Sequence, residues 1–520
     1  MRRQDIQLLA AARRGDIDAQ CEAGRRYLAG ADGFPQHTQT GLDYLLHASV
    51  RDLSMALKLI ADTLPLHELL SRDLLVELTR AADLGNTVAL AKLGAWLLTM
   101  PQERTHGKER LRIAAAGTAA TLAVDVAESE HGALDLADPD PVIFANLSAR
   151  GVIDGVEVLV LALRAAHKAR DLARMIRCLQ LAASWHKTRL ADLAESVVDV
   201  VALAERLNLT IDGVDVEFVD AALAMRAARG DMRAVYILGR GLSGIPCGVM
   251  EPQTLVPGSN LRKGTAMLLR AADGGEAGAW LHLYHISADH RCSVANPQMA
   301  RFFLEKAAAE GSAVAQRKLG ALQLRESETL PGNEQALSWL HQAGAQGDDL
   351  AQRLLRTLVL PIGGNERDAT DALQVVGRTD PFLAARLSVS RQFGLTKHEA
   401  LALNPASGAR PWGLVVGTNP FIRQSRLAAG RAVPSLSSTA TSTLRAAASL
   451  FSRNEHDARL REGDLRHRAR LVRTLFARYG IDESTFFAKA SSNVLDALRR
   501  GPKWAFKARL VLKSALQEPA

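Results

Sequence analysis

The sequence predicts an all-α fold, in which a right-handed α-solenoid of antiparallel helix pairs is followed by a small helical C-terminal domain. Three observations lead to this prediction. A glycine-anchored pattern recurs along the first four hundred residues. Aromatic residues make up only 5% of the chain while Ala and Leu dominate it, and this composition favours helices over strands. The length of 520 residues suits a long array of small helical repeats.

Six glycines mark the repeat, and the last three stand 36 residues apart. The glycine ends one helix in a left-handed conformation, and the Asp, Asn or Ser that follows five of them caps the next helix. An alanine four residues on allows the helices to approach closely, and a leucine eight residues on fills the core. The anchors are Gly15, Gly85, Gly230, Gly275, Gly311 and Gly347; the alanines are Ala19, Ala89, Ala234, Ala279, Ala315 and Ala351; the leucines are Leu93, Leu238, Leu283, Leu319 and Leu355.

The pattern resembles that of the Sel-one-like repeat family of the bacterial type, α-solenoid relatives of the tetratricopeptide repeats. The matching stretches are 264–275, 303–320 and 336–347, in which Phe303 and Trp339 stand eight residues before their glycines, where the family commonly has an aromatic residue. The resemblance covers about 1–120 and 225–358. It implies stacked helix pairs that bind partner proteins as adaptors, with no cofactor.

Breaks in the pattern divide the chain into five parts. Residues 121–224 keep helical periodicity but lose the glycine and alanine positions. Thr396 and Glu399 predict a capping box, 412–417 predicts a short strand, and the Ser/Thr-rich stretch 432–443 predicts a flexible linker. The predicted parts are N-terminal repeats (1–129), degenerate helical repeats (130–224), further repeats with a terminal helical pair (225–390), a mixed segment with the linker (391–443) and a basic helical domain (444–520).

The positive charge of the protein is concentrated near its C-terminus. Residues 421–520 contain 19 Lys and Arg against 8 Asp and Glu, whereas the rest of the chain is slightly acidic. Helical spacing places four arginines on one face, and two further pairs of basic residues follow. This pattern leaves three interpretations open: binding of nucleic acid or another polyanion, binding of an acidic protein, and a solvated helix face. The residues are Arg459, Arg466, Arg470, Arg473, Arg499, Arg500, Lys503 and Lys507.

Two further patterns have weaker chemical meaning. His282, His285, His290 and Cys292 are the densest group of metal-ligating residue types, but no second Cys pair completes the spacing of a zinc module, so we predict no structural zinc. Residues 239–244 match the glycine spacing of a dinucleotide-binding loop. The repeat phase places a helix before them where that motif needs a strand, so we interpret them as a loop between repeat helices.

No catalytic signature is present, and the sequence therefore predicts a non-enzymatic interaction scaffold. The alternative is a nucleic-acid-associated regulatory factor that uses the basic C-terminal domain, and an enzyme ranks third. Four widely spaced cysteines and the lack of an apolar leader or spanning segment predict a cytoplasmic protein. Export by a signal-independent route stays open as an alternative.

Overall fold

The computed structural model describes residues 3–115, 140–182, 190–417, 430–453, 463–500 and 506–517. These residues form 28 α-helices and one small sheet, so the predicted all-α repeat fold is confirmed. The chain divides into two compact units, Met1–Glu276 and Ala277–Ala520. This division falls inside the stretch 225–390 that the sequence presented as one part. The predicted boundary at 129 lies outside the described residues.

The described part of the first unit is almost entirely helical. Within the described residues of this unit, the one β-type backbone pairing is an isolated bridge between Cys247 and Met250. The helices are α1 Arg3–Arg13, α2 Ile17–Ala29, α3 Thr38–Leu45, α4 Ser54–Thr63, α5 Leu66–Ser71, α6 Leu75–Asp83, α7 Thr87–Leu98, α8 Arg104–Ala115, α9 Asp140–Ala149, α10 Gly155–Ala169, α11 Leu172–Ala182, α12 Leu190–Leu207, α13 Val216–Ala228, α14 Met232–Leu242 and α15 Leu261–Asp273.

The second unit combines three further repeats with a more irregular C-terminal part. Its elements are α16 Gly278–Ala288, α17 Pro297–Ala309, α18 Ala313–Glu326, α19 Leu330–Ala345, α20 Asp349–Arg356, α21 Glu366–Thr379, α22 Pro381–Phe393, α23 Lys397–Ala402, α24 Pro405–Gly408, β1 Ala409–Arg410, β2 Gly413–Val416, β3 Arg431–Pro434, α25 Ser438–Arg453, α26 Leu465–Tyr479, α27 Ser492–Arg499 and α28 Phe506–Gln517. Helices α21 and α22 are the additional pair that the sequence predicted after the repeats.

The repeat pattern has the structural meaning that the sequence predicted. All six anchor glycines have positive φ, between 80° and 96°. The side chain of the next residue caps the following helix in five repeats and accepts the amide N–H of the alanine four residues after the glycine, as Asp348 does from Ala351 at 2.8 Å. The exception follows Gly275, where Glu276 stands in place of a capping residue and α16 begins without a side-chain cap. All six alanines are buried.

Close helix approach explains a further glycine, Gly320, which stands nine residues after the anchor Gly311. Gly320 lies inside α18, and a Cβ at this position would stand 2.8 Å from Leu340 Cγ and 2.9 Å from the carbonyl oxygen of Ala336. Both atoms belong to α19, so the two helices of this repeat cross almost backbone to backbone. Small residues in the first helix therefore set the spacing of the pair.

Enlarging one of the buried alanines tests this packing. Ala315 is fully buried in α18, so Ala315→Leu should lower the free energy of unfolding by about 1–3 kcal/mol through overpacking. Ala309→Leu, at an exposed position near the end of α17, should change it by less than about 0.5 kcal/mol. Urea unfolding of the two variants and the parent protein measures the difference. Equal midpoints for the two variants would contradict the close packing.

The C-terminal part of the second unit contains a three-stranded antiparallel sheet in the order β1-β2-β3. Residue Leu414 of β2 pairs with Val433 of β3, and both side chains are buried. The predicted strand at 412–417 is therefore present, and the predicted capping box of Thr396 and Glu399 is formed. The linker prediction is wrong, because 432–443 contains most of β3 and the beginning of α25. Val433 and Ala440 of this stretch are buried by neighbouring elements, which composition alone does not reveal.

The C-terminal helices are not a separate domain. Val472 and Phe476 of α26 share one hydrophobic core with Leu387 of α22 and Val433 of β3. The chain after α26 also enters this core, since the Ser390 hydroxyl donates to the carbonyl oxygen of Phe486 at 2.7 Å. The basic segment differs in composition from the rest of the chain but is part of the second unit, because its apolar residues pack in one core with helices that precede the sheet.

Candidate functional site

Helix α26 presents an unpaired basic face, which we call the arginine face and define as Arg466, Arg470 and Arg473. All three side chains are exposed, and none makes a hydrogen bond or ion pair within the described residues. Their spacing places them within about 60° around the helix axis. Arg459, the fourth predicted member, lies outside the described residues. The structure thus brings together the three predicted arginines that it describes.

The opposite side of α26 anchors this face. Val472, Leu475 and Phe476 are buried. Tyr479 is 38% exposed, because the helix ends there at Gly480, which has a left-handed backbone. Arg468 donates to the carbonyl oxygen of Leu401 at 2.7 Å and so ties α26 to the end of α23. The arginine face therefore stands on a fixed helix.

Of the later basic residues, the structure describes the side chains of two. Arg499 forms an ion pair with Asp496 at 2.6 Å on its own helix, and the Arg500 Nε donates to the carbonyl oxygen of Asp496 at 3.3 Å. Lys503 lies outside the described residues. Lys507 lies on α28, and its side chain is likewise outside the described part.

The structure does not assemble the histidines and the cysteine into a metal site. Among the described residues, no group of three or more His, Cys, Asp or Glu side chains could hold a metal ion. His285 Nε2 lies 3.1 Å from Lys318 Nζ, and burial together with this lysine lowers the pKa of His285 to about 4. His290 is exposed, and His282 and Cys292 are half-buried. An ammonium group thus occupies the position that a metal would need at His285.

The absence of structural zinc remains a prediction. Elemental analysis of protein purified without added metal should show well under one zinc per chain, because no complete ligand set is formed in the described residues. One bound zinc per chain, lost when His282→Ala is combined with Cys292→Ser, would contradict the prediction.

The dinucleotide-like glycines are helical rather than part of a loop. Gly239 and Gly241 lie inside α14, and only Gly244 of the motif follows the helix, with φ of 74°. The loop interpretation is therefore wrong for the first two glycines. Their role is packing, since a Cβ at Gly239 would lie 3.1 Å from Leu268 of the next helix.

The repeat geometry described above resembles that of the Sel-one-like repeat family. No known family model and no curated protein sequence matches it. Two solved structures are similar. One is a protective antigen of uropathogenic Escherichia coli strains that displays an SLR fold (17% identity, 94% of this chain and 98% of that chain, TM-score 0.28), and the other is a Sel1 repeat protein from Oxalobacter formigenes (17% identity, 69% and 91%, TM-score 0.25).

Because these TM-scores are low, the resemblance to Sel-one-like repeats rests on the chain's own repeat geometry. That geometry establishes stacked helix pairs and leaves the partner open. Within the described residues, no helix combines the length and apolar character needed to cross a bilayer.

One cavity was not foreseen from the sequence. It has a volume of about 290 Å³ and opens between the last repeat helix pair, α19–α20, and the turn from β3 to α25. Its α19–α20 side combines basic and polar side chains with Leu355, its turn side combines hydroxyl groups with Leu436, and no acidic residue lines it. The lining residues are His341, Gly344, Ala345, Gln352, Leu355, Arg356, Ser435, Leu436, Ser437, Ser438 and Thr441. The serines of the turn indicate the start of a helix, since serine often caps a helix, but they do not indicate a cavity.

Proposed function

We propose that this protein is a non-enzymatic scaffold that binds a partner protein, and that the arginine face of α26 holds an acidic segment of that partner. Each unit contains helical repeats that stack as antiparallel pairs, an architecture that suits protein binding. The single observation that carries the proposal is the arginine face: three exposed guanidinium groups on one fixed helix, with no acidic side chain of the described chain paired to them.

Several other arginines in the same unit are paired. Arg301 pairs with Glu305 and Glu326, and Arg410 pairs with Glu334. Arg353, Arg367 and Arg378 resemble the arginine face in being exposed and without a hydrogen bond or ion pair within the described residues, but they are divided between two helices. The arginine face is distinguished by three such groups within about 60° on one helix, which favours an acidic group supplied by another molecule.

Two observations favour an acidic protein segment over nucleic acid. Phe476, Phe486 and Phe487 are buried, so they offer no platform on which bases could stack. The arginine face itself is a short stripe of three charges, whose length suits a few carboxylates on a peptide.

The proposal is tested with an acidic probe and a matched variant. Fluorescence anisotropy of a labelled dodecamer of glutamate, and of single- and double-stranded DNA of equal charge, is measured at ~50 and ~200 mM salt. The combined replacement of Arg466, Arg470 and Arg473 by Ala should weaken peptide binding about tenfold or more and flatten its salt dependence. The control variant replaces three other exposed arginines of α20 and α21 by Ala, namely Arg353, Arg367 and Arg378.

The outcomes separate the alternatives. Binding of the peptide that is lost in the arginine-face variant and kept in the control variant supports the proposal. Tighter binding of DNA than of peptide, lost in the same variant, would establish the nucleic-acid alternative instead. Equal losses in the two variants would mean that only net charge matters, and the proposed site would be wrong.

A further inference from the structure

The cavity between α19, α20 and the β3–α25 turn has two unpartnered basic side chains. Arg356 stands at the end of α20 and His341 lies on α19, and both line the cavity. Within the described residues, neither side chain makes a hydrogen bond or an ion pair. No Asp or Glu lines the cavity, so nothing in its wall neutralises the guanidinium group. A concave site of this kind attracts an anion.

The opposite wall adds neutral donors. Ser437 and Ser438 place hydroxyl groups along the turn that leads from β3 into α25. The hydroxyl groups of Ser435 and Thr441 are engaged within the turn, since they bond to each other at 2.7 Å and to the carbonyl oxygen of Ser437 at 3.1 and 3.2 Å. The Ser437 hydroxyl accepts the Ala440 amide at 3.0 Å, which begins the helix and leaves the amides of Ser438 and Thr439 without an acceptor in the described chain. These amides stand at the positive end of a 16-residue helix, and they add to a site that the cavity and Arg356 define.

The combination selects a particular kind of anion. A planar carboxylate uses two acceptor oxygens, whereas a tetrahedral phosphate can accept from a guanidinium group on one side and from hydroxyl and amide groups on the other. The volume of about 290 Å³ is enough for a phosphate with a short organic substituent. Leu355 and Leu436 supply apolar wall for that substituent. We propose that this cavity binds the phosphate group of a small phosphomonoester.

His341 gives the site a spectroscopic reporter. Burial lowers the pKa of His341, so its imidazole is neutral at pH 7 and offers one N–H donor. A bound phosphate dianion favours the protonated imidazole and should raise this pKa. The C2 proton of His341, followed by NMR against pH with and without inorganic phosphate, measures the shift. A histidine that only fills space would titrate identically in the two series.

Binding is measured on the full chain with two probes, inorganic phosphate and O-phosphoserine, by isothermal titration at constant ionic strength with chloride as the background anion. Arg356→Gln should weaken the binding of each probe by about tenfold or more, because it removes the guanidinium group, which can donate two parallel hydrogen bonds to a phosphate. Arg353→Gln is the matched control, since it changes an exposed arginine on the same helix that does not line the cavity. It should leave the affinity within about twofold.

The outcomes distinguish the source of the phosphate. Tighter binding of O-phosphoserine than of phosphate identifies an organic ester as the ligand class, whereas equal affinities reduce the inference to free phosphate. Absence of binding, or equal losses in the two arginine variants, would overturn the site. The inference stands apart from the proposed scaffold function, because the variant that lacks the arginine face of α26 should bind the two probes as the parent protein does.

Discussion

Replacement of Arg431 by Ala should destabilise the unit Ala277–Ala520 by about 3–5 kcal/mol. Arg431 lies on β3 with only 2% of its surface exposed, and Glu399, its partner on α23, is also buried. The Arg431 Nε and Nη2 donate to the two carboxylate oxygens of Glu399 at 2.9 and 3.0 Å. Removal of the guanidinium group leaves a carboxylate buried without its counter-charge, which is far more costly than losing a surface pair.

The remaining atoms of this pair are also engaged. Thr396 donates to Glu399 through its amide at 2.9 Å and its hydroxyl at 3.0 Å, and Arg431 donates to the carbonyl oxygens of Leu358 and Gly394. These contacts join the strand to the ends of three different segments. Arg431→Ala should therefore loosen β3 and its neighbours as well as lower the overall stability.

Urea unfolding and hydrogen exchange of the β2 and β3 amides measure the effect. Arg410→Ala is the control, because its pair with Glu334 is partly exposed and should contribute less than about 1 kcal/mol. Arg431→Met combined with Glu399→Leu should recover much of the loss, since no buried charge is then left alone. A loss for Arg431→Ala as small as that for Arg410→Ala would contradict the buried pair.

The pH dependence of this pair has a definite sign. Although burial opposes the charged form, the charge of Arg431 and the hydrogen bonds to Glu399 leave the pKa of Glu399 lowered from its usual 4.5. A lowered carboxyl pKa contributes stability above the unfolded-state pKa, and this contribution is lost as the pH falls through the folded-state value. The parent protein should therefore lose stability on acidification below about pH 4.5 in this unit.

Phe486→Ala should cost about 3–5 kcal/mol and should affect helices far from it in the sequence. The Phe486 ring is fully buried and lies 6.0 Å from that of Phe476, centroid to centroid. Both belong to the core that includes Leu387 of α22. The cavity left by the ring would therefore weaken α22 together with α26.

Hydrogen exchange resolves where the loss falls. In Phe486→Ala, the amides of α22 should lose protection together with those of α26, while Tyr479→Ala, at an exposed ring, should change both by less than about 0.5 kcal/mol. Loss of protection confined to 463–500 would mean that the C-terminal helices fold as a domain of their own.

The candidate sites show how far sequence patterns reach. The arginine face was predictable because its three members lie on one helix, where spacing alone determines which side chains are neighbours. The cavity was not predictable, because His341 and Arg356 come from one part of the chain and the Ser-rich turn from another. The histidine cluster is the opposite case. Its members are close along the chain but do not form a shared site, since His285 Nε2 contacts the ammonium group of Lys318 instead.

The sequence by itself determined the repeat architecture, because each repeat depends on interactions within a few residues: a glycine with positive φ, a cap such as Asp348, and a small residue such as Ala351 where the helices meet. Only the tertiary structure decided that the stretch 432–443 forms a strand and a helix, and that the C-terminal helices pack into the second unit. Arg431 is joined to Glu399, and Phe486 to Ser390, across 32 and 96 residues. Such partners leave no periodicity in the sequence, since burial of a strand or a charge depends on which distant segments cover it.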